Sequence, residues 1–438
     1  MELKELMKNA GLVGAGGAGF PSYAKLSEGA DTLLINGSEC EPLLYTDFTI
    51  LRREMSFVIS GISTLLENTE MRRAYLCIKD HTAKELSLSD GETLAPNITV
   101  KLLKSSYPAG DEVSLIYEAC GRLVRPGALP ITKGVIVYNV ETVYNLGRAV
   151  RLGENVHKKW LTVGGDIQKP VVVTVPVGTR VCDLLSSLSI NVDESHTVLD
   201  GGPSMGKIIN PDTAVVTKTT KAILIIPNAS RAAESKRTNS SLAASRAETA
   251  CCQCTRCTDM CPRHLLGYPL EPHKMVRTAM QAADALPHLV ISATLCCGCG
   301  ICETLACSQG ISPKAVINGY KELLAKNKMR YSANADVEPR AERAYRIIPS
   351  KKWAETLGIR RFDKKTEYLG ELNSFSRIEI PLKSHIGAPS IPTVSDGDAV
   401  RCGDVIARAA DGLSVPQHAS IDGKITLSGD RIIIDRID

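Results

Sequence analysis

The chain has 438 residues, of which 44% are hydrophobic and 23% are charged, and this composition predicts a globular protein of two to four domains. The 52 basic and 48 acidic residues leave a formal net charge of +4, and only 4% of the residues are aromatic, so we expect no nucleic-acid partner. No apolar run approaches the roughly 20 residues that span a bilayer, and the charged N-terminus is unlike a signal peptide. We therefore expect no transmembrane segment and a cytoplasmic location.

Residues 1–155 alternate between helical and strand patterns. Residues 3–9 have the spacing of an amphipathic helix, and a glycine-rich stretch, Gly14 to Pro21, follows directly. Pro21 suits the first turn of a short helix that continues to about Leu26. We predict an α/β domain here. Its buried-strand patterns occur at 32–35, 74–78, 98–103 and 134–139.

The rest of the chain changes character three times. Short β segments surround one predicted helix at 181–188, which favours a small β module of the β-grasp type. A polar stretch at 228–249 then predicts a linker or an exposed helix, and helical segments with many cysteines follow it. Asp-Gly and Ser-Gly turns after Ile380 indicate a final all-β module. The predicted domains are 1–155, 156–228, 229–350 and 351–438.

Ten of the 15 cysteines lie between Cys251 and Cys307, which indicates metal ligands rather than a disulfide framework. The first run has the bacterial ferredoxin spacing for 4Fe–4S clusters, including the final Cys-Pro. The second run has one extra residue before its last cysteine and a serine in place of the proline. Zinc held by two CxxC pairs is the alternative, but it would leave the third cysteine of each run without a role. The runs are Cys251, Cys254, Cys257 and Cys261, and Cys296, Cys299, Cys302 and Cys307.

The glycine stretch satisfies the pattern GxGxxG, but a helix precedes it where the dinucleotide fingerprint needs a strand. The longer string from Gly14 to Lys25, followed by 36–42, resembles the flavin-binding signature of the NADH-oxidising subunit of respiratory complex I. It is more similar still to the RnfC subunit of the Rnf electron-transport complex. The resemblance continues at 107–112, 126–130 and 139–142, and 163–227 resembles the soluble-ligand-binding β-grasp (SLBB) module of that family.

The position of one segment departs from the RnfC order. Residues 381–427 resemble the lipoyl-like barrel-sandwich segment that RnfC carries at its N-terminus, whereas here it lies near the C-terminus. This order is similar to that of the PduS-type cobalamin reductases of propanediol-utilisation microcompartments. The segment has no Met-Lys pair at a hairpin tip, so we expect a packing or docking role rather than a swinging arm.

The resemblance implies a multidomain architecture: a Rossmann-like FMN domain, an SLBB β-grasp domain, a helical ferredoxin-type domain with two 4Fe–4S clusters, and a barrel-sandwich module. It implies FMN, NADH as electron donor, and no catalytic side chain, because the cofactors carry the chemistry. Glycines and a helix starting at Pro21 would favour the FMN phosphate, and Lys25 would add a charge or bind the flavin ring. The implied cofactor-binding residues are Gly14, Gly16, Gly17, Gly19, Phe20, Lys25, Asn36, Glu39, Glu41, Gly110, Glu112, Asn139 and Thr142.

The likeness to two-cluster ferredoxins also implies crossed ligands, because there the fourth cysteine of each run binds the other cluster. The extra residue before Cys307 lengthens the return path of the second run. The implied ligand sets are Cys251, Cys254, Cys257 and Cys307 for one cluster, and Cys296, Cys299, Cys302 and Cys261 for the other.

The family resemblance leads to two functional hypotheses. In the first, the protein uses NADH to reduce cob(III)alamin or cob(II)alamin toward cob(I)alamin in support of a corrinoid-dependent diol dehydratase. Its partners would be cobalamin, a corrinoid enzyme or an adenosyltransferase, together with shell proteins if a microcompartment encloses it. In the second, it is an RnfC-like peripheral subunit of a membrane electron-transport complex. A pure scaffold is disfavoured, because eight regularly spaced thiols accompany the flavin signature.

Overall fold

The computed structural model of the chain describes residues 2–279, 287–332 and 335–437. The predicted domain 229–350 therefore includes two stretches, 280–286 and 333–334, that lie outside the described residues. The cysteines of both runs and the implied cofactor-binding residues all lie within the described ranges.

The N-terminal domain is an α/β domain, as predicted, and it is built on a mostly parallel five-stranded sheet. Its elements are α1 (Leu3–Asn9), β1 (Thr32–Gly37), α2 (Thr46–Glu67), β2 (Arg73–Lys79), α3 (Asp80–Leu86), β3 (Thr93–Ala95), β4 (Ile98–Leu103), α4 (Glu112–Cys120), β6 (Val135–Asn139) and α5 (Val140–Leu152), with β5 (Ser106–Tyr107) outside the sheet. The strand order is β3-β4-β2-β1-β6, and β3 runs antiparallel to β4. After β1 the chain adds β2 and β4 on one side of β1, and it later adds β6 on the other side. The strand order therefore reverses between β1 and β6. Ligands of open α/β sheets bind at the carboxyl edge of such a reversal.

Two glycines allow α2 and α5 to cross at close range. A Cβ atom added at Gly61 would lie 2.0 Å from the carbonyl oxygen of Val143, and one added at Gly147 would lie 2.0 Å from that of Phe57. No side chain fits at either position. The crossing holds α5, and with it the end of β6, in a fixed place beside the sheet.

The second region is a mixed sheet with one helix. Its elements are β7 (Lys158–Gly165), β8 (Val171–Pro176), α6 (Val181–Ser187), β9 (His196–Asp200), β10 (Lys207–Ile209) and β11 (Ala222–Pro227). The strand order is β10-β9-β11-β7-β8, and one further strand from late in the chain completes the sheet beside β8. The predicted β segments and the predicted helix are confirmed in this region.

The cysteine-rich region consists of short helices. They are α7 (Arg231–Arg237), α8 (Ser240–Ala250), α9 (Arg256–Asp259), α10 (Pro262–Leu265), α11 (Pro272–Thr278), α12 (Pro287–Ile291) and α13 (Pro313–Lys326). The polar stretch before the first cysteine run thus forms two helices, α7 and α8. Apolar residues of this region, including Leu266 and Tyr268, pack with Leu34, Val135 and Val137 against one face of the N-terminal sheet. The iron–sulfur motifs and the N-terminal domain therefore share a core.

The chain then returns to both earlier domains before it forms its last module. The returning segment consists of β12 (Ile348–Pro349), α14 (Ser350–Thr356) and β13 (Glu367–Glu371). β12 pairs with β5, and β13 pairs in parallel with β8 as the edge strand of the second sheet. The last module comprises β14 (Arg377–Pro381), β15 (Ile391–Pro392), β16 (Ala399–Val400), β17 (Val405–Arg408), β18 (Gln417–His418), β19 (Gly423–Ser428) and β20 (Arg431–Arg436).

The last module forms a four-stranded sheet, β14-β20-β19-β16, and a three-stranded sheet, β15-β17-β18. Ile378 and Ile434 from this module share a core with Val173 and Leu184 of the second region. Among the described residues, no helix is long and apolar enough to cross a membrane.

Candidate functional site

The glycine loop, residues 14–20, lies against the end of β6 and the start of α5. The N–H of Gly14 donates to the Phe20 carbonyl at 2.8 Å, and the N–H of Ala15 donates to the Thr142 hydroxyl at 3.1 Å. A Cβ atom at Gly16 would lie 3.4 Å from the Cβ of Asn139. Residues 16–18 at the tip of the loop are exposed. The loop therefore presents its backbone at the carboxyl edge of the sheet, beside the strand-order reversal.

The helix predicted to begin at Pro21 is a single 3-10 turn, Ser22–Lys25. It stops there because Leu26 has an extended backbone, with φ −70° and ψ 105°. One turn adds little dipole, so the preference of its N–H groups for an anion stays a prediction. The helix start beside the loop is instead that of the 13-residue α5, whose third residue is Thr142.

Lys25 and Glu112, implied by separate motifs, form an ion pair. The Lys25 Nζ lies 3.1 Å from Glu112 Oε1 and donates to the carbonyl of Val137 at 3.0 Å. Both side chains remain accessible, with 32% and 41% of their surfaces exposed. The structure thus places one cation and one carboxylate at the edge where β6 ends.

Asn36 joins the end of β1 to the segment 107–112. Its Nδ2 donates to the Gly110 carbonyl at 3.0 Å, and its Oδ1 accepts from the N–H of Ser38 at 3.1 Å. A Cβ atom at Gly110 would lie 2.8 Å from the Ser38 hydroxyl oxygen and 3.0 Å from the Cys40 sulfur, so the two segments approach closely there. Asn36, Gly110 and Glu112 are thereby brought to the same edge.

The implied acidic residues Glu39 and Glu41 both bind backbone N–H groups. Glu39 accepts from Asp47 at 3.0 Å and from Phe48 at 3.2 Å, which satisfies the start of α2. Burial and the nearby Asp47 charge raise the pKa of Glu39 to about 7. Glu41 accepts from the N–H groups of Ser204 at 2.9 Å and Met205 at 2.8 Å. Contacts of either carboxylate with a nicotinamide stay a prediction.

A buried charge network beneath the site includes residues that sequence reasoning missed. Glu141 Oε2 lies 2.5 Å from Lys159 Nζ and 3.3 Å from Lys221 Nζ, and Lys221 in turn lies 2.5 Å from Asp47. Asn139 Nδ2 donates to Asp47 at 2.9 Å. Two carboxylates and two ammonium groups therefore compensate each other below the glycine loop.

Burial and charge pairing in this network change the pKa values of its two lysines. Burial lowers the pKa of Lys159. Burial alone would also lower that of Lys221, but the carboxylates of Asp47 and Glu141 raise it above the ordinary range. Glu141 is 0% exposed and binds the two lysines within this network. The sequence signal for this network was a lysine at the start of each of two strongly apolar strand patterns.

The eight implied cluster ligands surround two separate cavities, each with four of these thiols. The first cavity is lined by Cys251, Cys254, Cys257 and Cys307. The second cavity is lined by Cys261, Cys296, Cys299 and Cys302. These are the crossed sets that the ferredoxin likeness implies, with Cys252 beside the first and Cys297 beside the second.

The thiol arrangement fits a cluster better than a single ion. Zinc would need its ligands about 2.3 Å from one point. Among the residues that the structure describes, no group of three or more His, Cys, Asp or Glu side chains could hold one metal ion. Four thiols around an open cavity suit a four-iron cluster, whose ligands lie farther apart. The donor set, all sulfur, is also that of iron–sulfur sites.

The two cavities differ in burial and charge. Cys261, Cys299 and Cys302 of the second cavity are each 7% exposed, whereas Cys254 of the first is exposed. Lys314 also lines the second cavity, where its Nζ lies 3.4 Å from Glu303 and donates to the Ser204 carbonyl at 3.0 Å.

Family models match three parts of the chain. Residues 7–148 match the Nuo51 FMN-binding domain, 250–312 match a 4Fe–4S dicluster domain, and 358–434 match the RnfC barrel sandwich hybrid domain. The chain thus combines an FMN-binding domain, a dicluster domain and a barrel-sandwich domain, as the resemblance implied. The β-grasp assignment has no corresponding match among these three.

Individual proteins extend the likeness to nearly the full length. The chain is 35% identical to "Cobalamin reductase PduS" of Salmonella typhimurium over 99% of this chain and 96% of that protein. It is 30% identical to a component of the ion-translocating oxidoreductase complex of Vibrio cholerae over 62% of this chain and 34% of that protein. A solved NAD+-reducing NiFe-hydrogenase aligns with a TM-score of 0.45 and 19% identity, over 74% of this chain and 60% of that one.

Proposed function

The chain belongs to the family of the PduS cobalamin reductases, and on that premise we propose that it takes electrons from NADH and delivers them singly to a cobalamin. The observation that carries the proposal is the coexistence of three features in one chain. The glycine loop, the Lys25–Glu112 pair and Asn36 meet at the carboxyl edge of the sheet. Two cavities, each lined by four of the implied cluster ligands, lie in the region that packs on that same sheet.

The residues at the sheet edge fit an FMN. The exposed glycine tip allows a close backbone approach, and Gly17 and Gly19 have φ values of +138° and +65° that favour glycine. The start of α5 beside the loop suits a phosphate. Lys25 supplies an accessible cation that Glu112 holds in place. Asn36 and Asn139 offer polar groups nearby, although both already hydrogen-bond within the protein.

Bound FMN would supply the conversion of a two-electron hydride donor into single electrons, and the iron–sulfur sites would carry those electrons onward. The reaction balances as one NADH and two cob(II)alamin giving NAD+, one proton and two cob(I)alamin. The chain's own residues would hold the cofactors in position and shield them from their surroundings. Thr142 contacts the loop, Glu112 orients Lys25, and in the buried network each lysine is paired with a carboxylate.

We propose the domain functions, the electron acceptor and the location on the same basis. Residues 156–228, a sheet with one helix, would be an SLBB β-grasp domain whose loop at Ser204 binds Glu41. The four predicted domains would be the functional units, with 348–371 linking them. The acceptor would be cobalamin, free or held by a corrinoid enzyme or an adenosyltransferase, in the cytoplasm or inside a microcompartment with its shell proteins.

Anaerobic assays of the purified protein test the proposal. We expect one FMN and about eight irons per chain, twice the content of one 4Fe–4S unit. NADH should reduce hydroxocobalamin, followed by its visible absorbance, and the Lys25→Ala variant should lose FMN while it keeps its iron. Reduction of artificial dyes with none of cobalamin would contradict the corrinoid assignment and favour the RnfC-like alternative.

A further inference from the structure

We propose that the second cavity is the side on which electrons enter the dicluster region and that the first cavity is the side on which they leave. This inference rests on the proposed function, because it orders the two sites that the function requires. The carboxyl edge of the N-terminal sheet, with Lys25, Asn36 and Glu112, is called the flavin edge here. Two side-chain contacts, or ties, connect the second cavity to that edge, whereas the first cavity is distinguished by its exposure.

The first tie is a buried hydrogen bond from Tyr107 to the ligand loop. The Tyr107 hydroxyl donates to the carbonyl of Cys299 at 2.7 Å, and Tyr107 is 3% exposed. Three residues later, the Gly110 carbonyl accepts from Asn36 at 3.0 Å. One short stretch of chain therefore contacts a cysteine of the second cavity at one end and the carboxyl end of β1 at the other.

The second tie is an ion pair beside Cys261. Arg263, two residues after that cysteine, lies 2.6 Å from Asp111, and the two side chains are 14% and 8% exposed. Asp111 immediately precedes Glu112, the partner of Lys25. A buried charge pair thus fixes the second cavity next to the residues implied for FMN. Both ties end on the segment 107–112.

An aromatic stack fills the space at this junction. The ring of Trp353 lies parallel to that of Tyr107, with centroids 4.6 Å apart and an angle of 7°. The Trp353 N–H donates to the Ser204 hydroxyl at 2.9 Å, and the N–H of Ser204 donates to Glu41. The junction between the flavin edge and the second cavity therefore contains stacked rings and a chain of hydrogen bonds, which give electrons a bonded path through the protein.

The first cavity packs on the other helices of its own region and opens to solvent. Cys251 and Cys307 pack with Ala247, Val276 and Ile311 of the cysteine-rich region. Gln253 and Cys254 on its wall are exposed. The rate of electron transfer falls steeply with distance. An external acceptor would therefore receive its electrons from the exposed first cavity. Each passage moves one electron, and no bond forms or breaks between the two cavities.

Two cysteine variants test the order, with paramagnetic resonance of the clusters as the readout. Cys299→Ser should remove the cluster of the second cavity, and Cys254→Ser that of the first. With NADH, the Cys299→Ser protein should reduce its FMN but leave its remaining cluster oxidised, although dithionite reduces it. The Cys254→Ser protein should reduce its remaining cluster with NADH as fast as the wild type does. The reverse pattern would overturn the order.

A milder pair of variants covers the case in which a cysteine variant fails to assemble. Tyr107→Phe removes the hydroxyl bound to Cys299, and we expect several-fold slower cluster reduction by NADH in rapid-freeze samples, with unchanged FMN and iron content. Tyr368→Phe is the matched control, because Tyr368 also stacks on a tryptophan, Trp160, and its hydroxyl hydrogen-bonds that of Thr174 at 3.1 Å, at the edge of the second sheet. Equal rates in the two variants would contradict the proposal. If NADH fails to reduce FMN in the wild type, the proposed function fails instead.

Discussion

The hydroxyl of Thr142 is one of the anchors of the glycine loop. It is 1% exposed and accepts from the N–H of Ala15 at 3.1 Å. In Thr142→Val that N–H loses its acceptor, at a cost of roughly 1 kcal/mol, so we expect FMN to bind about fivefold more weakly. Fluorescence titration of FMN measures this affinity. Thr132→Val, which removes an exposed hydroxyl bound to the Leu129 carbonyl, should leave it unchanged. Equal affinities in all three proteins would contradict the role of Thr142.

Two opposite charges beside the second cavity should shift a reduction potential in opposite directions. Lys314 and Glu303 lie 3.4 Å apart, with 17% and 5% of their side chains exposed. Reduction adds an electron, so a nearby cation favours it and a nearby anion opposes it. Lys314→Gln should therefore lower the potential of the cluster there, and Glu303→Gln should raise it. Redox titration followed by paramagnetic resonance measures both, and shifts of the same sign would refute the placement of this cluster.

The crossing of α2 and α5 depends on glycine at its contact point. A Cβ atom at Gly61 would meet the Val143 carbonyl at 2.0 Å, so Gly61→Ala must push the helices apart. We expect a loss of roughly 1–3 kcal/mol in unfolding free energy, together with weaker FMN retention because α5 carries Thr142. Urea denaturation measures the first effect. Ser63→Ala on the same helix is the control, and a stability equal to that of the control would contradict the close crossing.

Elements formed by neighbouring residues were predictable, and pairings between distant residues were not. The strand patterns at 32–35, 74–78 and 98–103 became β1, β2 and β4, because period and composition are local signals. The pairings of β12 with β5 and of β13 with β8 join residues far apart in the chain, and no local pattern encodes such a partner.

The side-chain contacts of the candidate site could not be predicted for the same reason, because they join residues far apart in the chain. Lys25 and Glu112 were each implied by a motif, but their ion pair appears only when the sheet brings the two motifs together. Lys159 and Lys221 were missed because a lysine in an apolar strand pattern gives no indication of the carboxylate that it meets.

On the scale of the whole molecule, Lys218 joins three modules. Its Nζ donates to the Gly11 carbonyl at 3.1 Å, before the glycine loop, and to the Pro416 carbonyl at 3.0 Å, in the last module. Lys218 itself lies between β10 and β11 of the second region and is 2% exposed. Two carbonyl oxygens are the partners of its ammonium group in these bonds. This contact ties the last module to the flavin edge at the cost of burying a charge.

That burial makes stability depend on pH in a defined direction. Burial lowers the pKa of Lys218 to about 7, from 10.5. Between these values the unfolded chain holds a proton that the folded chain has lost, so this group's contribution to stability rises with pH and levels off near 10.5. The nearby His385 and His418 have pKa values lowered by burial to about 4 and about 3, so they stay neutral in this window, and Lys383 is the other cation near His385.

Lys218→Met should remove that dependence. From pH 7 to pH 9 the wild type should gain stability relative to the variant by up to about 1.4 kcal/mol per pH unit, the free energy of one pKa unit. Thermal unfolding of the holoprotein at pH 7, 8 and 9 measures the difference between the two melting temperatures. Lys207→Met, at an exposed position in the same region, should follow the wild-type curve. Parallel curves for wild type and Lys218→Met would show that this lysine ionises normally in the folded protein. Its burial between the three modules would then not disfavour the charged form.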